Sequence, residues 1–243
     1  MDSSDNAQGL SKETWKKVIQ AIEDSIPLYD HVNDLISFGK AQVARIYGVE
    51  NLQLNESSVV LDGGIGPGTT ARLIFGKVKP SMLIGLDGST KQLETAKANL
   101  REYWDSFHLV NASFEYLPFR DSILDGIITC YALRDSLDLP RSISEYSRVC
   151  SEHGVFADVD IGKSENLIKR VMSVLYVKYL MPSVAKMVIR RQIKGNPWRM
   201  IAPTYDTLPT NVSLLELMKH HFAKVRMREF LNGGIIVIIG SKS

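Results

Sequence analysis

A cluster of glycines stands between a short apolar run and a helix-like run, and this junction constrains the fold more than any other feature. Residues 57–62 read SSVVLD, a β-branched strand pattern. The turn that follows contains Gly63, Gly64, Gly66 and Gly68. Apolar residues then recur at helical spacing over 69–78. A strand, a glycine turn and a helix in this order predict the first unit of an open α/β sheet, with the turn at the ligand crevice.

Strands and helices continue to alternate after this junction. Four further apolar runs predict strands, at 81–87, 107–112, 124–131 and 154–160. The runs at 223–230 and 234–240, joined through glycines, predict a closing antiparallel hairpin. We therefore expect an α/β fold with a doubly wound, mostly parallel seven-stranded sheet, preceded by N-terminal helices.

Helices and loops outside the sheet are predicted from the same periodicity. The apolar spacing predicts a helix from about residue 11 to Pro27 and a second helix over 28–49. Residues 164–193 are predicted to be helical with a break at Pro182, and the proline-containing stretch 195–209 is predicted to be a loop.

Two details decide which ligand suits the glycine turn. A dinucleotide fingerprint needs its third glycine or alanine at 69, where Thr69 stands. Asp62 ends the first strand, and a carboxylate there repels a pyrophosphate but suits the ammonium and sulfonium groups of S-adenosylmethionine. Asp87 ends the second strand, where an acid can accept both hydroxyls of a ribose. We predict an S-adenosylmethionine site; a dinucleotide site and a plain turn with two surface acids are the alternatives.

Composition excludes several other classes of protein. The chain is 44% hydrophobic and 23% charged over 243 residues, which excludes disorder and collagen-like repeats. Cys130 and Cys150 are the only cysteines, so we expect neither a disulfide framework nor a Cys-based zinc site, and no other cluster has metal-ligand spacing. The N-terminus lacks a signal-peptide pattern. The uncharged apolar stretches are shorter than the roughly 20 residues that a helix needs to cross a bilayer. We expect a cytoplasmic chain without a transmembrane segment.

Four stretches give the chain a recognisable pattern: YDHVNDLISFG at 29–39, EYLPFRD at 115–121, YALRDSLD at 131–138 and LNGGIIVIIGSK at 231–242. With them the chain resembles class I S-adenosylmethionine-dependent methyltransferases, and more narrowly the ubiquinone/menaquinone biosynthesis C-methyltransferases. The resemblance implies a Rossmann-like methyltransferase fold and C-methylation of a polyprenyl quinol, of the demethylmenaquinol or benzoquinol type. A methyltransferase for a soluble small molecule and a non-catalytic S-adenosylmethionine-binding subunit stay open as alternatives.

The resemblance also implies which residues hold the cofactor. Matched by position, the cofactor contacts of the family fall at four places in this chain. They are the loop threonines, the acid that ends the second strand with the residue after it, the two residues five and four positions before the proline of the LPF sequence, and a small residue that ends the fourth strand. These residues are Thr69 or Thr70, Asp87, Gly88, Ser113, Phe114 and Cys130. Together with Asp62 and the four glycines they form the predicted cofactor site.

Methylation of a quinol carbon needs an electron-rich ring, and therefore a base or a group that stabilises the phenolate. The candidates are Tyr29, His31, Arg134 and Asp135. Arg134 stays protonated, so it can hold the phenolate or orient a water. Asp135 stands where the family commonly has Asn, and it either accepts the proton or pairs with Arg134. Tyr29 and His31 either contribute to the site or only cover the crevice.

A basic segment interrupts an otherwise acidic chain. Residues 163–200 contain nine basic residues and one acid, whereas the whole chain has a formal net charge of +2. Apolar residues recur at helical spacing in the same segment, at Ile168, Val171, Met172, Leu175 and Tyr179. Such a basic amphipathic helix suits an anionic membrane surface at the inner face of the membrane. The alternative is a lid that packs on the sheet. Aromatic residues are not interleaved with the basic ones, so no nucleic-acid partner is expected.

The observations divide a single domain into four parts. Residues 1–50 are helices that cover the site, and 51–162 form the cofactor-binding core. Residues 163–209 are a basic lid or an acceptor-binding insertion, and 210–243 complete the sheet. A homodimer and a monomer both stay open.

Overall fold

The computed structural model describes residues 10–25, 28–189 and 196–243, with the side chains of Tyr29 and Asp30 outside that description. The described residues contain a seven-stranded sheet. In chain order its strands are β1 Val59–Gly63, β2 Met82–Asp87, β3 Phe107–Asn111, β4 Leu124–Cys130, β5 Cys150–Ile161, β6 Lys224–Phe230 and β7 Ile235–Ser241. Each strand overlaps a stretch that the sequence predicted as a strand.

The strands lie in the order β3-β2-β1-β4-β5-β7-β6. Strands β1 to β5 pair in parallel, and β7 pairs antiparallel with both β5 and β6. Because the chain reaches β4 by crossing to the other side of β1, a crevice forms outside the carboxyl ends of these two strands. The predicted doubly wound, mostly parallel sheet with an antiparallel C-terminal hairpin is confirmed.

Ten α-helices accompany the sheet in the described part of the chain. They are α1 Lys12–Ser25, α2 Tyr29–Ile36, α3 Lys40–Glu50, α4 Thr69–Lys77, α5 Thr90–Asn99, α6 Leu139–Val149, α7 Leu167–Leu175, α8 Met181–Ile189, α9 Ile201–Thr207 and α10 Asn211–Lys219. Neighbouring residues of a strand face opposite sides of the sheet. Val60 of β1 therefore packs with apolar residues of α3, α4 and α5, whereas Leu61 packs with those of α6 and α10. Helices on both faces bury the sheet.

The single helix predicted over 28–49 is two helices, so this prediction was wrong. A turn separates α2 from α3, because Phe38 and Gly39 adopt φ values of 52° and 72°. The N–H of Gly39 donates to the carbonyl of Asp34 at 2.9 Å, which closes the turn after α2. The change of direction lays α3 on the sheet, where Ala44 is fully buried.

The break predicted at Pro182 was also wrong. Leu167–Ile189 is one helix of 23 residues, in which the π-helical turn Tyr176–Leu180 joins α7 to α8. Proline lacks an N–H and crowds the carbonyl four residues before it, and the wider π turn relieves this conflict. An 18-residue window of this helix has a mean hydropathy of 1.3, so the helix is long and apolar enough to cross a membrane by length and composition alone. Taken singly, the uncharged apolar stretches within it are shorter than a span.

The loop predicted at 195–209 is largely helical over 196–209, because its prolines stand where helices tolerate them; residue 195 lies outside the described residues. Pro197 begins a 3-10 turn over Pro197–Met200, and Pro203 lies in the first turn of α9, where no N–H partner is needed. Trp198 and Tyr205 are buried in an apolar cluster with residues of α2 and α8. Packing of these two aromatic rings fixes the segment against the rest of the chain.

Candidate active site

Two neighbouring cavities open at the carboxyl edge of the sheet. The loop cavity, of about 170 Å³, lies against the glycine turn, the end of β2 and α1. The helix cavity, of about 440 Å³, lies among α1, α2, α3, α8 and α9. Five residues line both cavities: Ile22, Arg45, Thr69, Tyr131 and Asp135. We call these five the shared wall, at which the two cavities adjoin.

Most residues that the sequence predicted to hold the cofactor surround the loop cavity. They are Gly64, Gly66, Thr69, Thr70, Asp87, Gly88, Ser113, Phe114 and Cys130. Asp62, Gly63 and Gly68 line neither cavity, whereas Arg134 lines the helix cavity. The topology therefore brings together residues from four separate stretches of sequence.

The glycines of the turn have different roles. A Cβ on Gly63 would lie 2.4 Å from the hydroxyl of Tyr146, and one on Gly68 would lie 2.7 Å from a leucine methyl, so both are required for packing. Gly66 has a φ of +54°, and the nearest atom to its Cβ position is Gln92 Oε1 at 4.0 Å. A side chain at Gly66 would therefore enter the loop cavity rather than the core.

Asp87 fixes the glycine turn and faces the loop cavity. Its Oδ2 accepts the N–H of Gly66 at 3.0 Å, and its Oδ1 accepts the N–H of Ser89 at 2.9 Å. Burial raises the pKa of Asp87, and these backbone hydrogen bonds oppose the shift. An ionised carboxylate accepts up to about four hydrogen bonds, so Asp87 keeps capacity for hydroxyl donors in the cavity.

Asp62 lies behind the turn rather than in a cavity. It is 1% exposed, and a backbone hydrogen bond from Ala71 favours its ionised form. Burial raises the pKa of Asp62 to about 7, and the positive charge of Arg45 opposes this shift. Its predicted direct contact with a cationic ligand stays a prediction, because no face of Asp62 lines the loop cavity.

Asp160 of β5 orients the turn Leu133–Asp135 that follows β4. Arg134 Nη1 lies 2.7 Å from Asp160 Oδ1, and the backbone N–H of Arg134 donates to Asp160 Oδ2 at 3.1 Å. Arg134 Nε lies 3.6 Å from Asp135 Oδ1, which is longer than a hydrogen bond. Asp160, a residue that sequence reasoning missed, therefore holds both the guanidinium and the backbone of Arg134.

Asp135 is the acid of the shared wall. Burial raises the pKa of Asp135 to about 7, with Arg134 lowering it and Asp160 raising it further. Its Oδ1 is buried and accepts no hydrogen bond from the described residues. A carboxyl group that titrates near neutrality beside a cavity is suited to proton transfer. Arg134 is also close enough for an ion pair with Asp135, so both roles left open for Asp135 stay predictions.

Comparison with known proteins decides the family, since residues 8–242 match the ubiE/COQ5 methyltransferase family. The chain belongs to this family. A ubiquinone/menaquinone biosynthesis C-methyltransferase UbiE of Syntrophotalea carbinolica is 26% identical over 213 residues, covering 87% of this chain and 88% of the relative. A 2-phytyl-1,4-naphtoquinone methyltransferase of Trichormus variabilis is 28% identical over 229 residues, covering 92% and 98%.

The fold agrees with membership of the ubiE/COQ5 family. A SAM-dependent methyltransferase structure from Thermotoga maritima aligns with a TM-score of 0.60, covering 93% of this chain and 100% of that chain at 15% identity. So low an identity shows the fold alone. The predicted family and the predicted Rossmann-like methyltransferase fold are confirmed, and the protein is an S-adenosylmethionine-dependent methyltransferase.

The loop cavity of this methyltransferase fits the chemistry of S-adenosylmethionine. Gln92 Oε1 and Asp135 Oδ1 are buried acceptors without a partner among the described residues, and both residues line the cavity. The cofactor carries an ammonium group, ribose hydroxyls and an adenine amine that can donate to such acceptors. Asp87, Glu115 and Asp135 line the cavity with acidic groups that favour a sulfonium charge. The residues present therefore fit the methyl donor of the family.

Two helices contribute residues to the cavities that sequence reasoning missed. Trp15 and Ile19 of α1 line the loop cavity, and Glu23 Oε1 of the same helix accepts the hydroxyl of Ser89 at 2.6 Å. Only the prediction that the N-terminal helices cover the site pointed towards α1.

Arg45 of α3 was missed as well. Among the described residues it is the only cationic one that lines the loop cavity. Its guanidinium lies 5.7 Å from the ring centre of Tyr131, and its Nη1 donates to Gln42 Oε1 at 2.8 Å. An arginine that is 8% exposed is unusual for an ordinary surface helix, but exposure is visible only in the structure.

The remaining residues that the sequence proposed for the site lie in different places. Burial raises the pKa of Cys130 to about 12, so this residue lines the loop cavity as a small neutral thiol. His31 lines the helix cavity. Tyr29 begins α2, but its side chain lies outside the described residues, so its role stays a prediction. In the part of the chain that the structure describes, no group of three or more His, Cys, Asp or Glu residues is placed to hold a metal ion.

Proposed function

We propose that this methyltransferase transfers the methyl group of S-adenosylmethionine to a ring carbon of a polyprenyl quinol, of the demethylmenaquinol or benzoquinol type. Its relatives in Syntrophotalea and Trichormus are named for reactions on quinones of this kind. The observation that carries the proposal is the shared wall. A loop cavity that fits the methyl donor adjoins a larger cavity with many apolar residues, and Asp135 belongs to both.

The lining of the helix cavity suits a ring with two polar ends and an apolar tail. Apolar side chains from several elements contribute to it, among them Ile36, Ile161, Met181, Trp198 and Ile235. Polar residues such as His31, Asn33 and Arg134 also line it, but apolar surface predominates, as in sites where a small number of polar groups fix the orientation of an apolar ligand. The polar groups nearest the methyl donor are those of the shared wall and of Arg134.

The charges around the loop cavity define how the cofactor lies. Asp87 would accept hydrogen bonds from the ribose hydroxyls of a bound cofactor, and Ser113 and Phe114 would hold the adenine. Arg45 would hold the methionine carboxylate, because it is the cation of the cavity lining among the described residues. The cofactor would then supply its methyl group at the shared wall.

Residues of the shared wall activate the acceptor. S-adenosylmethionine supplies, when bound, an electrophilic methyl group on a positively charged sulfur. Asp135 takes a proton from a quinol hydroxyl, which raises the electron density on the ring carbons. Arg134, held by Asp160, stabilises the phenolate charge. The activated ring carbon would accept the methyl group, and the same carbon would then lose its proton to water, which restores the aromatic ring; the proton on Asp135 would return to the quinol oxygen.

Incubation with labelled S-adenosylmethionine and a reduced cellular lipid extract tests this proposal. Mass spectrometry should find the label in a prenylated quinone, and Asp87→Ala should abolish its incorporation. Label found only in water-soluble products would overturn the proposal in favour of a soluble acceptor. Tight cofactor binding with no transfer to any product would instead indicate a non-catalytic subunit.

A further inference from the structure

Large apolar side chains are concentrated on the outer face of the helix Leu167–Ile189. Among the described residues, 17 large apolar side chains are exposed, and eight of them belong to this helix. They are Leu167, Ile168, Val171, Met172, Leu175, Tyr179, Leu180 and Met187. The spacing of 168, 172, 175 and 179 places these residues along one side of the helix. We call the eight residues the apolar stripe.

The opposite side of the same helix is built into the protein. Val177, Met181, Ala185 and Ile189 are buried in the apolar cluster of α2 and α9. Met181 also lines the helix cavity, as does Tyr176 of the π turn. The helix is therefore the partition between the helix cavity and the surface that carries the apolar stripe.

This placement argues against a membrane span, although the helix is long enough for one. Lys178 stands at the midpoint of Leu167–Ile189 and pairs with Asp206 at 3.0 Å, so a span would carry this ion pair to the bilayer centre. The buried side of the helix would also lose its packing on the protein. A helix that buries one side in the protein and exposes apolar residues on the other suits the plane of a membrane surface.

Charge decides between a lipid surface and a second copy of the chain. The helix contains Lys169, Arg170, Lys178 and Lys186, and no acidic residue. A symmetric contact between two copies would bring these like charges together, which costs free energy. Anionic headgroups complement them, while the apolar stripe enters the boundary between headgroups and acyl chains.

We propose that the apolar stripe and its basic neighbours dock the protein, as a peripheral protein, on a bilayer that contains anionic phospholipid. Docking places the helix cavity one helix away from the acyl chains. If the acceptor is a prenylated quinol, which rests on the proposed function, its ring reaches the shared wall while its tail stays near the lipid. Docking itself does not depend on the identity of the acceptor.

Co-sedimentation of the full chain with vesicles tests the proposal without substrate or cofactor. We expect binding to vesicles that contain phosphatidylglycerol, weaker binding to pure phosphatidylcholine, and loss of binding at high salt. The double variant Ile168→Ser/Met172→Ser should bind at least tenfold more weakly. The double variant Lys169→Gln/Lys186→Gln should lose about fivefold for each charge removed. The single variants Ile123→Ser and Lys79→Gln are the matched controls. Both residues are exposed and precede β4 and β2, at the opposite edge of the sheet from the two cavities, so both variants should bind vesicles as the wild type does.

Three results would overturn docking. The first is that the protein binds to no vesicle, and the second is that the apolar-stripe variant binds as tightly as the wild type. The third is that binding does not depend on lipid charge or on salt concentration. A wild-type dimer in light scattering that the apolar-stripe variant converts to a monomer would assign the surface to a second copy instead. Thermal melting should be unchanged in both variants. Turnover of a short-tailed, water-soluble quinol should also be unchanged in them, so a failure of docking is separable from a failure of the proposed function.

Discussion

Replacement of Arg45 by methionine tests how the cofactor lies in the loop cavity. Arg45 is the cation of the cavity lining among the described residues, and it belongs to the shared wall. A hydrogen bond to a charged group contributes about 1.5–3 kcal/mol, which corresponds to a roughly 10- to 150-fold change in affinity. Arg45→Met should therefore weaken the binding of S-adenosylhomocysteine by that factor.

A ligand without the amino-acid end separates a direct contact from a structural effect. 5′-Methylthioadenosine keeps the adenosine and the sulfur but lacks the carboxylate, so its affinity should change by less than about twofold in Arg45→Met. Arg45→Lys keeps the charge without the forked donors and should give an intermediate loss for S-adenosylhomocysteine. Lys40→Met, on the same helix but lining neither cavity, is the matched control.

Isothermal titration of both ligands against the four proteins gives the result directly. Equal losses for both ligands in Arg45→Met would mean that the change distorts the cavity, which would refute the carboxylate contact. Unchanged affinity for S-adenosylhomocysteine would refute it as well. Thermal melting of each variant excludes unfolding as the cause of a loss.

The remaining predictions concern five residues. Asp87→Ala and Gly66→Val should each abolish S-adenosylmethionine binding in titration without unfolding the chain; undiminished affinity in both would remove the cofactor assignment. Arg134→Ala should bind the cofactor but lose turnover, and a wild-type rate would exclude it from the mechanism. Because the pKa of Asp135 is about 7, the single-turnover rate should rise about tenfold from pH 6 to pH 8, and Asp135→Asn should flatten this profile; an unchanged profile would contradict the base. The pKa of Asp62 lies near 7 in the folded chain and about 4 when unfolded, so its contribution to stability is lost as pH rises from about 4 to 7. Asp62→Asn should melt higher than wild type at pH 8 but not at pH 4 by scanning fluorimetry, and equal melting at pH 8 would count against a buried charge.

Elements with a strong local signal were predictable from the sequence. Six of the seven strands contain an apolar run, and β6 alternates apolar and charged residues. The glycine turn with Asp87 at the next strand end is likewise a local pattern. Breaks and continuations of helices were less predictable, because a proline permits a helix when it stands in the first turn or after a π turn. Pro203 and Pro182 are in these two situations.

Site residues from distant elements were the hardest to predict. Arg45 and Trp15 reach the cavities because α3 and α1 pack across the crevice, and no spacing in the sequence encodes that contact. Asp160 holds Arg134 through the pairing of β5 beside β4, 26 residues away in the chain. Such contacts follow from tertiary packing rather than from local pattern. The sequence predicted the ligand class, and the structure supplied the shared wall between the two cavities.

The most direct test of the central claim is the position of the transferred methyl group. Purified protein, isotopically labelled S-adenosylmethionine and a reduced, prenylated demethylnaphthoquinol should give one product, analysed by carbon NMR and tandem mass spectrometry. Transfer across the shared wall to an activated ring predicts a new methyl group on a ring carbon, with the rate reduced in Asp135→Asn. A methyl group on a quinol oxygen, or no reaction with any prenylated quinol, would contradict the account.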